Sequence, residues 1–215
     1  MKGQSGTESV RIPVGRLHLE GDLAVPQRAS GIVAFAHGSG SSRHSPRNQY
    51  VASVLQERGI ATLLFDLLTR EEDLDYERRF DIALLTERLT QTGEWLAREP
   101  ATRELKLGFF GASTGAAAAL QAAATLGDSV NAVVSRGGRP DLAGAQALRI
   151  VRAPTLLIVG GHDYGVIELN EGAYAQLGCV KELKIIPGAT HLFEESGTLE
   201  AAAAAAADWF SRYLV

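Results

Sequence analysis

Short apolar runs alternate with longer amphipathic stretches from about residue 16 to the end of the chain. Residues 16–25 switch between apolar and polar positions through Leu17, Leu19, Asp22, Leu23 and Val25. That alternation predicts an antiparallel edge strand with one face in water. Six further runs, at 32–36, 61–65, 105–110, 130–135, 155–159 and 182–186, are rich in β-branched, leucine or aromatic residues. Their composition predicts parallel strands buried on both faces. Between them lie helical periods: 47–58 closed by Gly59, 75–97 with Ile82, Leu85, Leu89 and Leu96 on one stripe, and 114–126 closed by Gly127. Two more, 168–177 and 199–214, complete the set, the last with Leu199, Trp209, Phe210 and Tyr213 as its bulky contacts. Strands alternating with helices of this length predict an α/β fold, with a mostly parallel twisted sheet, an antiparallel N-terminal edge and helices on both faces. Ligands of such sheets bind beyond the carboxyl ends of the strands, so reactive residues are expected just after strands.

Composition narrows the picture. A chain of 215 residues that is 46% hydrophobic and 21% charged fits one globular domain, taken here as residues 11–215 behind a flexible tail at 1–10. A net charge of -4 argues against a nucleic-acid partner, because phosphate backbones are held by clustered Lys and Arg. The first ten residues lack the apolar stretch of a signal peptide, and the longest apolar run, residues 201–207, is too short to span a bilayer. The lone cysteine, Cys179, has no intrachain disulfide partner. The expected location is therefore cytoplasmic, with no membrane partner. No histidine pair has the spacing of metal ligands and no dinucleotide or phosphate loop occurs, so no metal and no cofactor are expected.

Directly after the strand at 105–110 stands Gly111-Ala112-Ser113-Thr114-Gly115, a G-x-S-x-G sequence that opens an alanine-rich helix. A strand turning at once into a helix forces the serine into a strained conformation, and only small neighbours leave room for it. A serine nucleophile needs a base, and the base needs an orienting acid. Of five histidines, His191 lies in the loop between the last strand and the final helix, where it can reach the strand tips. His18 and His44 are expected at the surface, and His162 in a turn. For the acid, Gly160-Gly161-His162-Asp163 follows the strand at 155–159, making Asp163 the first choice and Asp141, a helix-cap residue on the alternative reading, the second. The catalytic candidates are thus Ser113, Asp163 and His191, in a chain order shared with one of the three common serine-triad folds. His37-Gly38-Ser39-Gly40, after the strand at 32–36, is expected to supply the second oxyanion amide, with Ser39 and Thr114 donating together.

Three segments now carry a resemblance: residues 36–48, with Ala36-His37-Gly38-Ser39-Gly40 and Ser42-Arg43-His44-Ser45-Pro46-Arg47-Asn48, the elbow at 111–115, and Arg136-Gly137-Gly138-Arg139-Pro140-Asp141-Leu142. Across nearly all its length the chain resembles the dienelactone-hydrolase-like branch of the α/β-hydrolase superfamily. It is similar as well to the hydrolase-like part of some bacterial chains fused to a phosphoribosyltransferase. The resemblance implies an α/β-hydrolase fold and a cysteine nucleophile, whereas this elbow carries serine. Generic ester hydrolysis is therefore expected ahead of lactone specificity.

Only about one strand and one helix separate the elbow from Asp163, so no cap domain is expected and the cleft should be open. Such a cleft suits small or short-chain acyl esters. Gly38, Gly40, Arg43, Arg136 and Arg139 are candidates for contacting substrate, the arginines together with Arg47 either binding a carboxylate or pinning loops. The acids at Glu71, Glu72 and Asp73 read as a solvated face. An acyltransferase, thioesterase or peptidase with the same three residues stays open, as does a non-catalytic binding module of the same fold. The expected partner is a small-molecule ester, with a homodimer left open.

Overall fold

The computed structural model describes residues 6–215. Eight strands form one sheet in the order β1-β2-β4-β3-β5-β6-β7-β8. They are β1 (Thr7–Val14), β2 (Leu17–Ala24), β3 (Gly31–Ala36), β4 (Ala61–Phe65), β5 (Lys106–Ala112), β6 (Val130–Arg136), β7 (Thr155–Gly160) and β8 (Lys181–Ile186). Pairs β1/β2 and β2/β4 are antiparallel, and all the others are parallel. The helices are α1 (Pro46–Glu57), α2 (Arg70–Asp73), α3 (Ile82–Leu96), α4 (Thr114–Leu126), α5 (Gly144–Ile150), α6 (Tyr164–Gln176) and α7 (Thr198–Leu214). None is long and apolar enough to cross a membrane.

The core lies in two layers, one on each face of the sheet. On one face Val51, Ala52 and Leu55 of α1 pack with Ala203, Ala206, Trp209 and Phe210 of α7. On the other, Leu85 and Leu89 of α3 and the alanines of α4 close over Ile32, Leu63 and Phe109. Alanine suits both α4 and α7 because small side chains let a helix lie close to the sheet. The approach is so close that a Cβ built on Gly108 of β5 would fall 2.8 Å from Phe210.

The topology aims the crevice. β3 is hydrogen-bonded to β4 on one side and to β5 on the other, so the winding reverses at β3 and a gap opens beyond the carboxyl ends of β3 and β5. Residues 37–40 and Ser113 both emerge there.

Several expectations need correction. The edge strand is β1, so residues 16–25 hold the second position and Thr7–Val10 belong to a strand instead of a tail; residues 1–5 lie outside the described residues. Polar composition concealed β1, because its outward side chains face water while the hairpin turning at Gly15 (φ 60°) satisfies its backbone. The helix expected over 75–97 starts at Ile82, where the Asp81 carboxylate caps the Leu84 amide; a 3-10 turn at Glu77–Phe80 precedes it. β8 alternates in exposure as an edge strand does and is not buried on both faces. Among the acids of 71–73, Glu72 is buried: it closes a capping box with Thr69 and pairs with Arg88 at 2.9 Å. Burial opposes its charge, yet the Thr69 amide and Arg88 prevail and hold its pKa below the ordinary glutamate value.

Phe210 is fully buried beneath β5. Phe210→Ala is expected to lower the unfolding free energy by about 3–5 kcal/mol, read from urea denaturation monitored by circular dichroism.

Candidate active site

The elbow is built from close packing. Ser113 has φ 51° and ψ −123°, a region an L-residue enters only under constraint. Three backbone contacts hold it: the Ser113 N–H reaches the Arg136 carbonyl at 3.4 Å, and its own carbonyl accepts from Ala116 at 3.1 Å and Arg139 at 3.0 Å. The flanking glycines are sterically required. A Cβ on Gly115 would lie 2.1 Å from the Ala36 carbonyl oxygen, and one on Gly111 would lie 2.4 Å from Ala116 Cα. Gly38, in the loop after β3, presses on the serine: a Cβ there would stand 3.0 Å from Ser113 Cβ and 3.7 Å from its Oγ.

His191 and Asp163 meet although 28 residues separate them. The distance from His191 Nδ1 to Asp163 Oδ2 is 2.6 Å. A carboxylate only accepts, so Nδ1 carries a hydrogen, and in the neutral ring the lone pair is then on Nε2. The Asp163 side chain is 16% exposed and that of His191 40%, so the acid is sheltered while the ring meets the cleft. The loop carrying His191 is tied down at both ends. Glu195 accepts from the Thr190 amide at 3.0 Å and from its hydroxyl at 2.6 Å, and these bonds hold its pKa below the ordinary glutamate value. Phe193, at φ 56°, is buried beneath the loop.

Ser113 and His191 border one cleft of about 280 Å³, together with Gly38, Ser39, Arg47, Asn48, Arg136 and Gly137. Sequence reading missed Asn48; its signal was the Ser45-Pro46 helix start, which places it in the first turn of α1 with Ser45 as the cap. Other expectations change. The Ser39 amide does not stand open, because it donates to Thr114 Oγ1 at 3.0 Å. Arg43 is bound to Asp66 and lies 3.4 Å from Asp22, and Arg139 pairs with Asp141 at 2.8 Å. Both arginines pin loops, Asp141 is spent as the partner of one of them, and Arg136 remains in the cleft. Gly40 adopts φ 69° in the turn and does not line that cleft.

His37 supports this wall. Its Nδ1 lies 2.9 Å from the Gly38 carbonyl and its Nε2 accepts from the Leu67 amide at 3.1 Å, so the Nδ1–H tautomer bridges the loops after β3 and β4. No sequence signal separates this histidine from a substrate contact, since the bridge depends on the β3/β4 pairing.

A doubly wound sheet whose winding reverses beside a glycine-flanked serine elbow defines an α/β-hydrolase-type protein, and solved structures agree. Est1E from Butyrivibrio proteoclasticus, 17% identical over 95% of this chain and 98% of its own, superposes with a TM-score of 0.80 and shares the fold. The sequence profile of the dienelactone hydrolase family matches residues 19–214, and the chain belongs to that family. A dienelactone hydrolase from Anabaena variabilis ATCC 29413 is 57% identical, with a TM-score of 0.96 over 99% of this chain and 100% of that one. A protein of Mycobacterium tuberculosis (strain ATCC 25618 / H37Rv), whose name proposes a phosphoribosyl transferase, is 58% identical over 207 residues. That match takes in 96% of this chain but 46% of the relative, so the chain spans about half the length of the curated relatives it matches.

Burial holds the His37 pKa below its ordinary 6.5, against raising contributions from the Gly38 carbonyl, Asp66 and Asp73. The unfolded chain thus takes up a proton that the folded one resists. The resulting stability is complete above pH 6.5 and is lost as pH falls through the folded value. Urea denaturation at successive pH values should show wild-type stability declining below that point. In His37→Gln, whose side-chain oxygen can still accept from Leu67, this part of the slope should vanish.

Proposed function

We propose that the chain is a serine esterase cleaving carboxylic esters of small or short-chain acyl groups, with Ser113 as nucleophile, His191 as base and Asp163 as the acid that orients it. The observation that carries this reading is the 2.6 Å bond from His191 to Asp163 on the cleft where the strained Ser113 stands. In the first half-reaction, Ser113 Oγ attacks the acyl carbon while His191 Nε2 takes its proton. The protonated ring returns that proton to the departing alkoxide, leaving an acyl-enzyme. Water, deprotonated by the same nitrogen, then releases the acid and restores the serine. Asp163 stabilises the imidazolium formed in each half.

Negative charge develops on the acyl oxygen, and the amides of Ser39 and Thr114 are its proposed donors. Thr114 opens α4, so its N–H has no helical acceptor and lies at the positive end of the helix dipole. Ser39 must exchange its bond to Thr114 Oγ1 for the incoming oxygen. Placing Ser39 beside Thr114 keeps both donors at the tip of the elbow before substrate arrives.

A small cleft volume and a short β6–β7 connection that holds α5 and no inserted domain support small esters as substrates. The single free thiol of Cys179 supports a cytoplasmic location. On this reading the transferase activity in the name of the mycobacterial relative is carried by the part of that protein outside the matched 46%.

A fluorophosphonate probe followed by peptide mass mapping is expected to label Ser113 alone. Ser113→Ala should abolish both the labelling and p-nitrophenyl acetate hydrolysis. Asp163→Asn should lower kcat by ~10⁴-fold with binding retained. Label on another residue, or full turnover without Ser113, rejects the proposal. Lactone, thioester and peptide substrates run alongside decide the acyl class.

A further inference from the structure

Arg136 ends β6 beside the elbow, its backbone paired with Ala112 and Ser113. The residue is 7% exposed, and among the described residues no carboxylate lies within salt-bridge distance of it. This sets it apart from Arg43, Arg88 and Arg139, each of which has an acid partner. Its Nη2 reaches only Asn48 Oδ1, at 3.4 Å, its Nε has no partner, and its guanidinium sits 5.6 Å from the Phe193 ring. Burial, reinforced by the charge of Arg47, lowers its pKa to about 10. A buried guanidinium without a counter-ion is costly, and a fold keeps one where an arriving anion completes it.

The surroundings fit that anion. Arg136 lines the cleft together with Ser45, Arg47 and Asn48, the cap and first turn of the 12-residue helix α1, whose positive dipole end faces the same space. Asn48 spends its acceptor on Arg136, which leaves its amide hydrogens for a ligand. Arg47 reaches only Glu194, at 3.4 Å, and that carboxylate is 65% exposed at the rim. Two guanidinium groups and a helix terminus thus face one cleft with a single peripheral acid.

We infer that Arg136, Arg47 and Asn48 form a subsite for a doubly charged phosphate group carried by the substrate that Ser113 attacks. The inference rests on the esterase reading of Ser113. A phosphate dianion matches the two positive charges and offers three oxygens to donors on separate walls, whereas a carboxylate brings one charge and two oxygens.

Inorganic phosphate is the probe, applied at about pH 8, where it is the dianion. Binding is measured by calorimetry and thermal melting on Ser113→Ala, which removes turnover. Phosphate should bind and raise Tm, while acetate at equal ionic strength should do neither. Arg136→Met, added to that background, should weaken phosphate by about tenfold or more, the scale of one lost charge-assisted hydrogen bond. Asn48→Asp sets a carboxylate beside the guanidinium; it should weaken phosphate equally while raising Tm in its absence, and it serves if the methionine variant does not fold. Acetate binding as tightly as phosphate, or phosphate affinity unchanged in both variants, overturns the subsite. Phosphate binding through Arg136 in a protein whose Ser113 takes no fluorophosphonate leaves the subsite standing and removes the esterase. Labelling of Ser113 without phosphate binding does the reverse.

Discussion

Ser113 is held at a positive φ that an unconstrained serine would leave, and the surroundings of the site follow from what holds it there. Strain of this kind amounts to about 1–3 kcal/mol and persists only where packing over-determines the backbone. Here the end of β3 and the loop after it supply that packing: the carbonyl of Ala36 sits where a Cβ of Gly115 would be, and Gly38 abuts the serine itself. The close approach of α4 to β3 is the same feature that brings the Ser39 amide to Thr114. The elbow and the cleft wall at residues 38–39 are therefore one packing arrangement.

Support for that wall comes from a neutral histidine. His37 links the loops after β3 and β4 only in the tautomer that donates from Nδ1 and accepts at Nε2, and burial keeps it there. A second imidazole, His191, has its Nδ1 occupied by an aspartate and meets the cleft. The two rings differ in their surroundings more than in chemistry. One is locked among backbone groups as a structural link, and the other pairs with a carboxylate and keeps its far edge on the cleft.

Charge placement divides the arginines in a similar way. Arg43, Arg88 and Arg139 end on carboxylates and brace loops and helices. Arg136 ends in the cleft with an amide oxygen and an aromatic ring. The cleft wall mixes polar and apolar surface in near-equal share around this one buried cation without a carboxylate partner.

By itself the sequence determined the order of the seven strands after residue 16, the five longer helices between and after them, and the elbow at 111–115. These are local facts, written in spacing, glycine placement and hydrophobic period, so short windows reveal them. The edge strand β1 escaped because its hairpin pairing satisfies the backbone of a polar segment, and the short helix α5 was too brief to show a period. Tertiary structure alone decided which charges are neutralised. Nothing in the neighbourhood of Glu72, Arg43 or Arg136 states whether its partner, 16, 23 or 88 residues away, comes within reach. Electrostatic pairing depends on distances of a few ångströms between distant segments, and those distances exist only once the sheet has closed the helices over both its faces.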